Sequence, residues 1–196
     1  VGFEAGHNIS TGVQNTFVGG LAGDATDDGT NNVAVGFEAL SANCGSGNTA
    51  IGTRAGKITT ADNNTFVGNN AGIAITSGAG NTFIGAEAGD GTDDGTGNIA
   101  VGNQALSGNC GSDNTVVGQY SGIAATGSNN TLMGQTAGFA LTTGSFNLFL
   151  GKDSGRTGSP GGNMTNDANK IVLGDDGIAE AHVQVDWTVA SDARDK

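Results

Sequence analysis

Residues 15–23 read NTFVGGLAG, and the same phrase keeps returning: NVAVGFEAL at 32–40, NTAIGTRAG at 48–56, NTFVGNNAG at 64–72 and NTFIGAEAG at 81–89. The glycine that follows the Val or Ile falls at Gly2, Gly19, Gly36, Gly52, Gly68, Gly85, Gly102, Gly118, Gly134, Gly151 and Gly174. The steps between them are 17, 17, 16, 16, 17, 17, 16, 16, 17 and 23 residues. The step pattern itself recurs every 66 residues: GDATDDGTNNVAVGFEALSANCGSGNTAIG from Gly23 matches GDGTDDGTGNIAVGNQALSGNCGSDNTVVG from Gly89. Four short units make one long unit, and the long unit has been copied.

A period this short is too small for helical-pair repeats or propeller blades. It fits one coil of a parallel β-solenoid, a β-roll with two short strands and two bends to each coil. The 37 glycines among 196 residues disfavour helix and supply bends with positive φ, while the β-branched residues gather where a strand is needed. The expected fold is all-β, about ten coils stacked at about 4.8 Å, a rod about 45–50 Å long. The regular placement of Val, Ile and Phe separates this glycine-rich chain from a disordered one.

Side chains alternate along a strand. The Val18 column (Val35, Ile51, Val67, Ile84, Val101, Val117, Met133, Leu150) is uniformly large and apolar and is expected to face the coil interior, with the Thr16 column on the same side. The intervening column holds Phe17, Ala34, Ala50, Phe66, Phe83, Ala100, Val116, Leu132 and Phe149. It is then expected to face outward, and being apolar it needs a partner, so these nine residues are expected to form an interface between copies of the chain. The column Asn15, Asn32, Asn48, Asn64, Asn81, Asn98, Asn114, Asn130 and Asn147 reads equally as an amide ladder between coils or as a cap on each coil's own turn.

Seven basic and nineteen acidic residues leave a net charge of −12, which argues against nucleic acid as a partner. No apolar run is long enough to insert in a membrane as a helix. The chain opens inside a repeat unit and stops at SDARDK, so it is expected to be a fragment of a longer protein.

Residues 1–155 form the repeat shaft, 156–168 an inserted loop, 169–190 a terminal coil and strand, and 191–196 the start of a junction. The N-[ST]-x-[VI]-G-x-x-A unit resembles the head repeats of trimeric autotransporter adhesins, and more closely the repeats of bacteriophage tail fibres. The closing stretch NKIVLGDDGIAEAHVQVDWTVASDARDK resembles the junction that leads into an endosialidase-type intramolecular chaperone. The resemblance implies a left-handed, homotrimeric β-roll. It implies a structural segment of a virion tail fibre, outside the cell, involved in host attachment and facing a host cell-surface receptor or glycan. A bacterial cell-surface trimeric adhesin head is the alternative. It also implies possible cleavage between Ser191 and Asp192 by a downstream chaperone.

The candidate chemistry is sparse. Asp24, Asp27 and Asp28, repeated as Asp90, Asp93 and Asp94, are possible Ca²⁺ ligands, but they occur once per 66 residues and read more simply as Asp-Gly bends. No other cofactor is expected. Cys44 and Cys110 are also 66 residues apart, four coils or about 19 Å along the stack, too far for a disulfide. His7 and His182 form no cluster, and no nucleophile motif occurs, so the chain is expected not to be an enzyme. An ice-binding solenoid needs an outward threonine array, which a core-facing Thr16 column would not offer.

Overall fold

A computed structural model describes residues 1–178. Ten three-residue strands run along the chain: β1 (Thr16–Val18), β2 (Val33–Val35), β3 (Thr49–Ile51), β4 (Thr65–Val67), β5 (Thr82–Ile84), β6 (Ile99–Val101), β7 (Thr115–Val117), β8 (Thr131–Met133), β9 (Leu148–Leu150) and β10 (Ile171–Leu173). They form one sheet in sequence order, every neighbouring pair parallel. The register is constant: Phe17 lies beside Ala34, Ala34 beside Ala50, and Phe66 beside Phe83. This is the expected all-β parallel solenoid, but each 16–17-residue coil carries one three-residue strand where two were expected; the rest of each coil is turns and bends.

Which face of the strand is the inner one is the reverse of the sequence expectation. The middle residue of each strand is buried within its own chain: Ala34, Ala50, Phe66, Phe83, Ala100, Val116, Leu132 and Phe149 are 0% exposed, and Phe17 is 9%. These nine side chains are therefore the coil's core and cannot also be the contact surface between copies. The Thr16 and Val18 columns point outward instead, half-buried or exposed along their whole length.

The reason is volume. Each coil encloses little space, and the strand's middle residue shares it with the residue six positions later. Where the strand carries Phe17, Phe66, Phe83 or Phe149, the partner is Gly23, Gly72, Gly89 or Gly155. A methyl group on Gly89 would lie 2.3 Å from the Phe83 ring. Where the strand carries Ala34 or Ala100, the partner is Leu40 or Leu106, both fully buried. These leucines hold left-handed backbone, φ 48° and 55°, a conformation that costs about 1–3 kcal/mol for a non-glycine residue. Filling the space that alanine leaves offsets that cost. Coil three has Ala50 with Gly56 and is filled from either side, since a methyl on Gly56 would lie 2.5 Å from Phe66 and 3.0 Å from Leu40.

The asparagine column lies on the core side of the strands, and from Asn32 to Asn147 it is almost fully buried. Its side chains join coil to coil. Asn15 Oδ1 accepts the Asn32 N–H at 2.8 Å, and Asn15 Nδ2 donates to Gly29 O at 2.8 Å. The same two bonds recur at each step as far as Asn147, which accepts from Lys170 N–H at 3.0 Å and donates to Asp167 O at 2.8 Å. Of the two sequence readings, the ladder is the one realised. Each amide satisfies a backbone N–H and a backbone C=O of the following coil that burial would otherwise leave unpaired. The strand-ending glycines sit where backbones nearly touch: a Cβ on Gly19 would lie 2.4 Å from Gly36 O.

Candidate functional site

The aspartates offered as calcium ligands are not gathered into a cage. Among the described residues no group of three or more His, Cys, Asp or Glu side chains is arranged to hold a metal ion. Asp27 and Asp93 instead accept hydroxyl hydrogen bonds from Ser10 and Thr76 of the preceding coil. Their backbone N–H groups are held by Asn43 and Asn109 of the following one, at 2.9 and 3.1 Å. They serve as coil-to-coil ties at an exposed corner. Asp90 is half-buried, and burial pushes its carboxyl above the ordinary range.

Cys44 and Cys110 are buried and free. Each lies 3.1 Å from the hydroxyl of the threonine in the preceding coil, Thr26 and Thr92 respectively. Burial pushes both thiols up, which keeps them protonated and poorly nucleophilic. The Ser191–Asp192 bond and the strand expected over 182–189 lie outside the described residues.

Outside the strand face, a concave surface lies where the repeat is interrupted. In the ordinary 17-residue coil, two residues separate the left-handed glycine from the next core residue: Asp24 and Ala25 between Gly23 and Thr26, Phe139 and Ala140 between Gly138 and Leu141. In the last coil eight residues, 156–163, separate Gly155 from Met164, an excess of 8 − 2 = 6, which accounts for the step of 23 in place of 17. The excursion begins and ends at one point, because Met164 N–H donates to Gly155 O at 2.9 Å. Met164 then returns to the core, 7% exposed. Ser159 fastens the loop from inside: its hydroxyl accepts from Gly155 N–H at 3.0 Å and donates to Arg156 O at 2.8 Å.

The loop arches over the plain two-residue corner of the coil before it and encloses a cleft of about 470 Å³. Its lining is Phe139 and Ala140 from that corner, Arg156, Thr157 and Asn163 from the loop, Asp153 from its stem, and Asp175 and Asp176 from the turn after β10. Arg156 lies over the Phe139 ring, 4.8 Å from its centroid, and donates to Asp153 Oδ1 at 2.6 Å. Asp153 also accepts from the Thr136 hydroxyl at 2.5 Å and pairs with Lys152 at 2.9 Å. The Thr136 hydrogen bond first, then Lys152 and Arg156, hold its carboxyl at about 2, so it is ionised at any physiological pH. Asp176 borders the loop, 3.1 Å from where a Cβ on Gly158 would stand.

Sequence reading marked 156–168 as an insertion and found no chemistry in it. The usable signal was the aspartate pair Asp175–Asp176 next to a stem aspartate and an arginine. It goes unnoticed because the two segments are separated by a whole strand. Comparison with protein-family models, with curated proteins and with solved structures finds no match to this chain.

Proposed function

We propose that this chain is a structural segment of a bacteriophage tail fibre involved in host attachment: a rigid homotrimeric shaft, not a catalyst, that presents or forms a receptor-binding surface. The observation that carries the reading is the outward strand face. The first and third residues of all ten strands are Thr, Val, Ile, Leu or Met, without one charge. Val18, Ile51 and Met133 remain 42%, 42% and 43% exposed in the single chain. A continuous apolar strip of this length on a protein of net charge −12 is a surface made to be covered. A second copy with the same strip is its natural complement, and three copies with their strips facing a common axis cover all three at once. The interface of the proposed trimer therefore comprises the Val18 and Thr16 columns, in place of the Phe17 column.

Light scattering on the purified chain tests this. A trimer is expected, and Val67→Asp with Val101→Asp should shift it to monomer while the β-type circular dichroism persists. A wild-type monomer of about 19 kDa would overturn the reading.

One observation favours a second reading. The Thr16 column faces outward after all, which removes the earlier objection to an ice-binding face. The array is broken, however, by Val33, Ile99, Leu148 and Ile171, and its neighbouring column is bulky and apolar. Thermal hysteresis is expected to be absent from wild-type protein; its presence, lost on Thr65→Leu and Thr82→Leu, would select the ice-binding reading.

A further inference from the structure

We propose that the cleft beneath the 156–163 excursion binds a saccharide, and that it selects neutral or amine-bearing sugars over acidic ones. The proposal deepens the attachment reading and rests on it for the choice of a surface glycan over a free metabolite; the cleft itself does not depend on it.

The stack is otherwise economical. Corners equivalent to the excursion use two residues, or three between Leu40 and Cys44 and between Leu106 and Cys110, and the chain uses eight at one place only among the described coils. The longer corner adds no strand, and the core position it leads to, Met164, is filled in other coils without an insertion: Ile75 and Leu141 stand there. The excursion is thus unnecessary for stacking. It is nonetheless ordered by its own bonds, closed at Gly155 and Met164 and fastened by Ser159. A prearranged loop spends less of its binding energy on ordering itself.

The cleft's volume falls in the range of roughly 300–1,000 Å³ typical of small-molecule sites. Its chemistry is that of a polyol binder. Asp175 and Asp176 can accept hydrogen bonds from hydroxyl groups, Asn163 and Thr157 can both donate and accept, and Ala140 with the part of Phe139 that Arg156 leaves uncovered supplies apolar contact for the C–H groups of a sugar ring. Charge sets the selection. The lining carries three carboxylates against the single guanidinium of Arg156, and that guanidinium is already engaged by Asp153. An acidic sugar would meet two carboxylates, while the neighbouring cations, Arg156 and Lys152, are both engaged by Asp153. An ammonium group would meet the two carboxylates favourably.

The test titrates isotopically labelled protein with three probes: a glucosamine trisaccharide, its N-acetylated neutral counterpart and a uronic-acid trisaccharide. Shifts are expected at Phe139, Thr157, Asn163 and Asp176, in the affinity order amine, neutral, acidic. Two variants complete it. The first replaces residues 156–163 by Phe-Ala, the pair that stands at Phe139 and Ala140, and so restores a 17-residue coil. It removes Arg156, so a merely charge-driven attraction of the amine to the acidic chain would strengthen; the site predicts at least a tenfold loss. The second, Asn163→Ala with Asp176→Asn, keeps the loop. It should abolish the preference for the amine over the neutral sugar and weaken both at least fivefold, even where the first variant does not fold. Absence of binding by all three probes, tightest binding by the acidic one, or affinity undiminished in both variants overturns the proposal. Light scattering on the same samples reports the trimer separately, so a trimer without sugar binding leaves the shaft reading in place and removes only this site.

Discussion

Asn64 shows what a single residue does in this architecture. Its side chain is fully buried, accepts Asn81 N–H at 2.8 Å and donates to Gly78 O at 3.0 Å. Alanine at this position would leave a buried donor and a buried acceptor of the next coil without partners. Asn64→Ala is expected to cost about 2–4 kcal/mol, read as a lower denaturation midpoint at unchanged slope. Surface ion pairs matter less: Glu38 with Arg54 and Lys57 lies at the solvent edge, and its removal should be close to neutral. Asp153 differs in its pH signature. Its folded value, about 2, is below the ordinary 3.8. The stabilisation it supplies is therefore complete above about pH 4 and is lost as pH falls towards 2. Asp153→Asn should flatten the acid dependence of melting in that window and leave its dependence above pH 5 unchanged.

At the scale of one coil, the core is a confined volume shared by the strand's middle residue and the residue six positions later: phenylalanine with glycine or alanine with leucine in six coils, while Ala50, Val116 and Leu132 each stand with a glycine. The pairing predicts a strong non-additivity in coil two. Ala34→Phe alone should overpack and cost about 1–3 kcal/mol. Leu40→Gly alone should open a cavity and cost about 2–5 kcal/mol, reduced by relief of the left-handed leucine backbone. Together the two changes convert coil two to the composition of the Phe66 coil and should recover most of both losses. Equilibrium unfolding of the four proteins gives the coupling energy directly; simple additivity would mean that the two positions do not share space. Phe83→Asp, by the same logic, attacks the fold before it attacks any assembly, because it places a carboxylate where the Phe83 ring packs at 5.8 Å from that of Phe66.

At the scale of the whole molecule, the stack has three kinds of surface with different capacities. The strand face is apolar and without charge over ten coils. The corners carry the charge and the exposed hydroxyl and amide side chains that tie neighbouring coils. The excursion after Gly155 is the one corner, among the described residues, expanded enough to enclose space. Because each coil contacts chiefly its neighbours, stability is a sum over coils and their interfaces. A lesion in coil two should therefore leave the cleft after β9 intact. Hydrogen exchange on the Ala34→Phe protein should show lost protection around β1 to β3 and retained protection from β7 to β9.

The repeat spacing by itself determined that the chain is a parallel solenoid, because a 16–17-residue period rich in glycine and β-branched residues has room for only short strands and bends; that each coil forms one strand and not two was decided by the structure. It determined the register too, since a shift of one residue would break every column at once. It did not settle which face is inside. A uniform apolar column suggests a core, yet the uniform Val18 column forms the outward strand face, and the irregular Phe17 column is irregular because it trades volume with a residue six positions away. That trade, Phe with Gly and Ala with Leu, was legible in the sequence as a correlation, but its meaning needs the knowledge that both residues enter one enclosed space. The ladder role of the asparagines was likewise decided by structure, because their proximity to a backbone one coil away exists only after stacking. The cleft lay furthest from sequence reading: it joins a corner, a loop and a turn from three successive coils, and only tertiary closure brings Phe139, Arg156 and Asp176 within reach of one ligand.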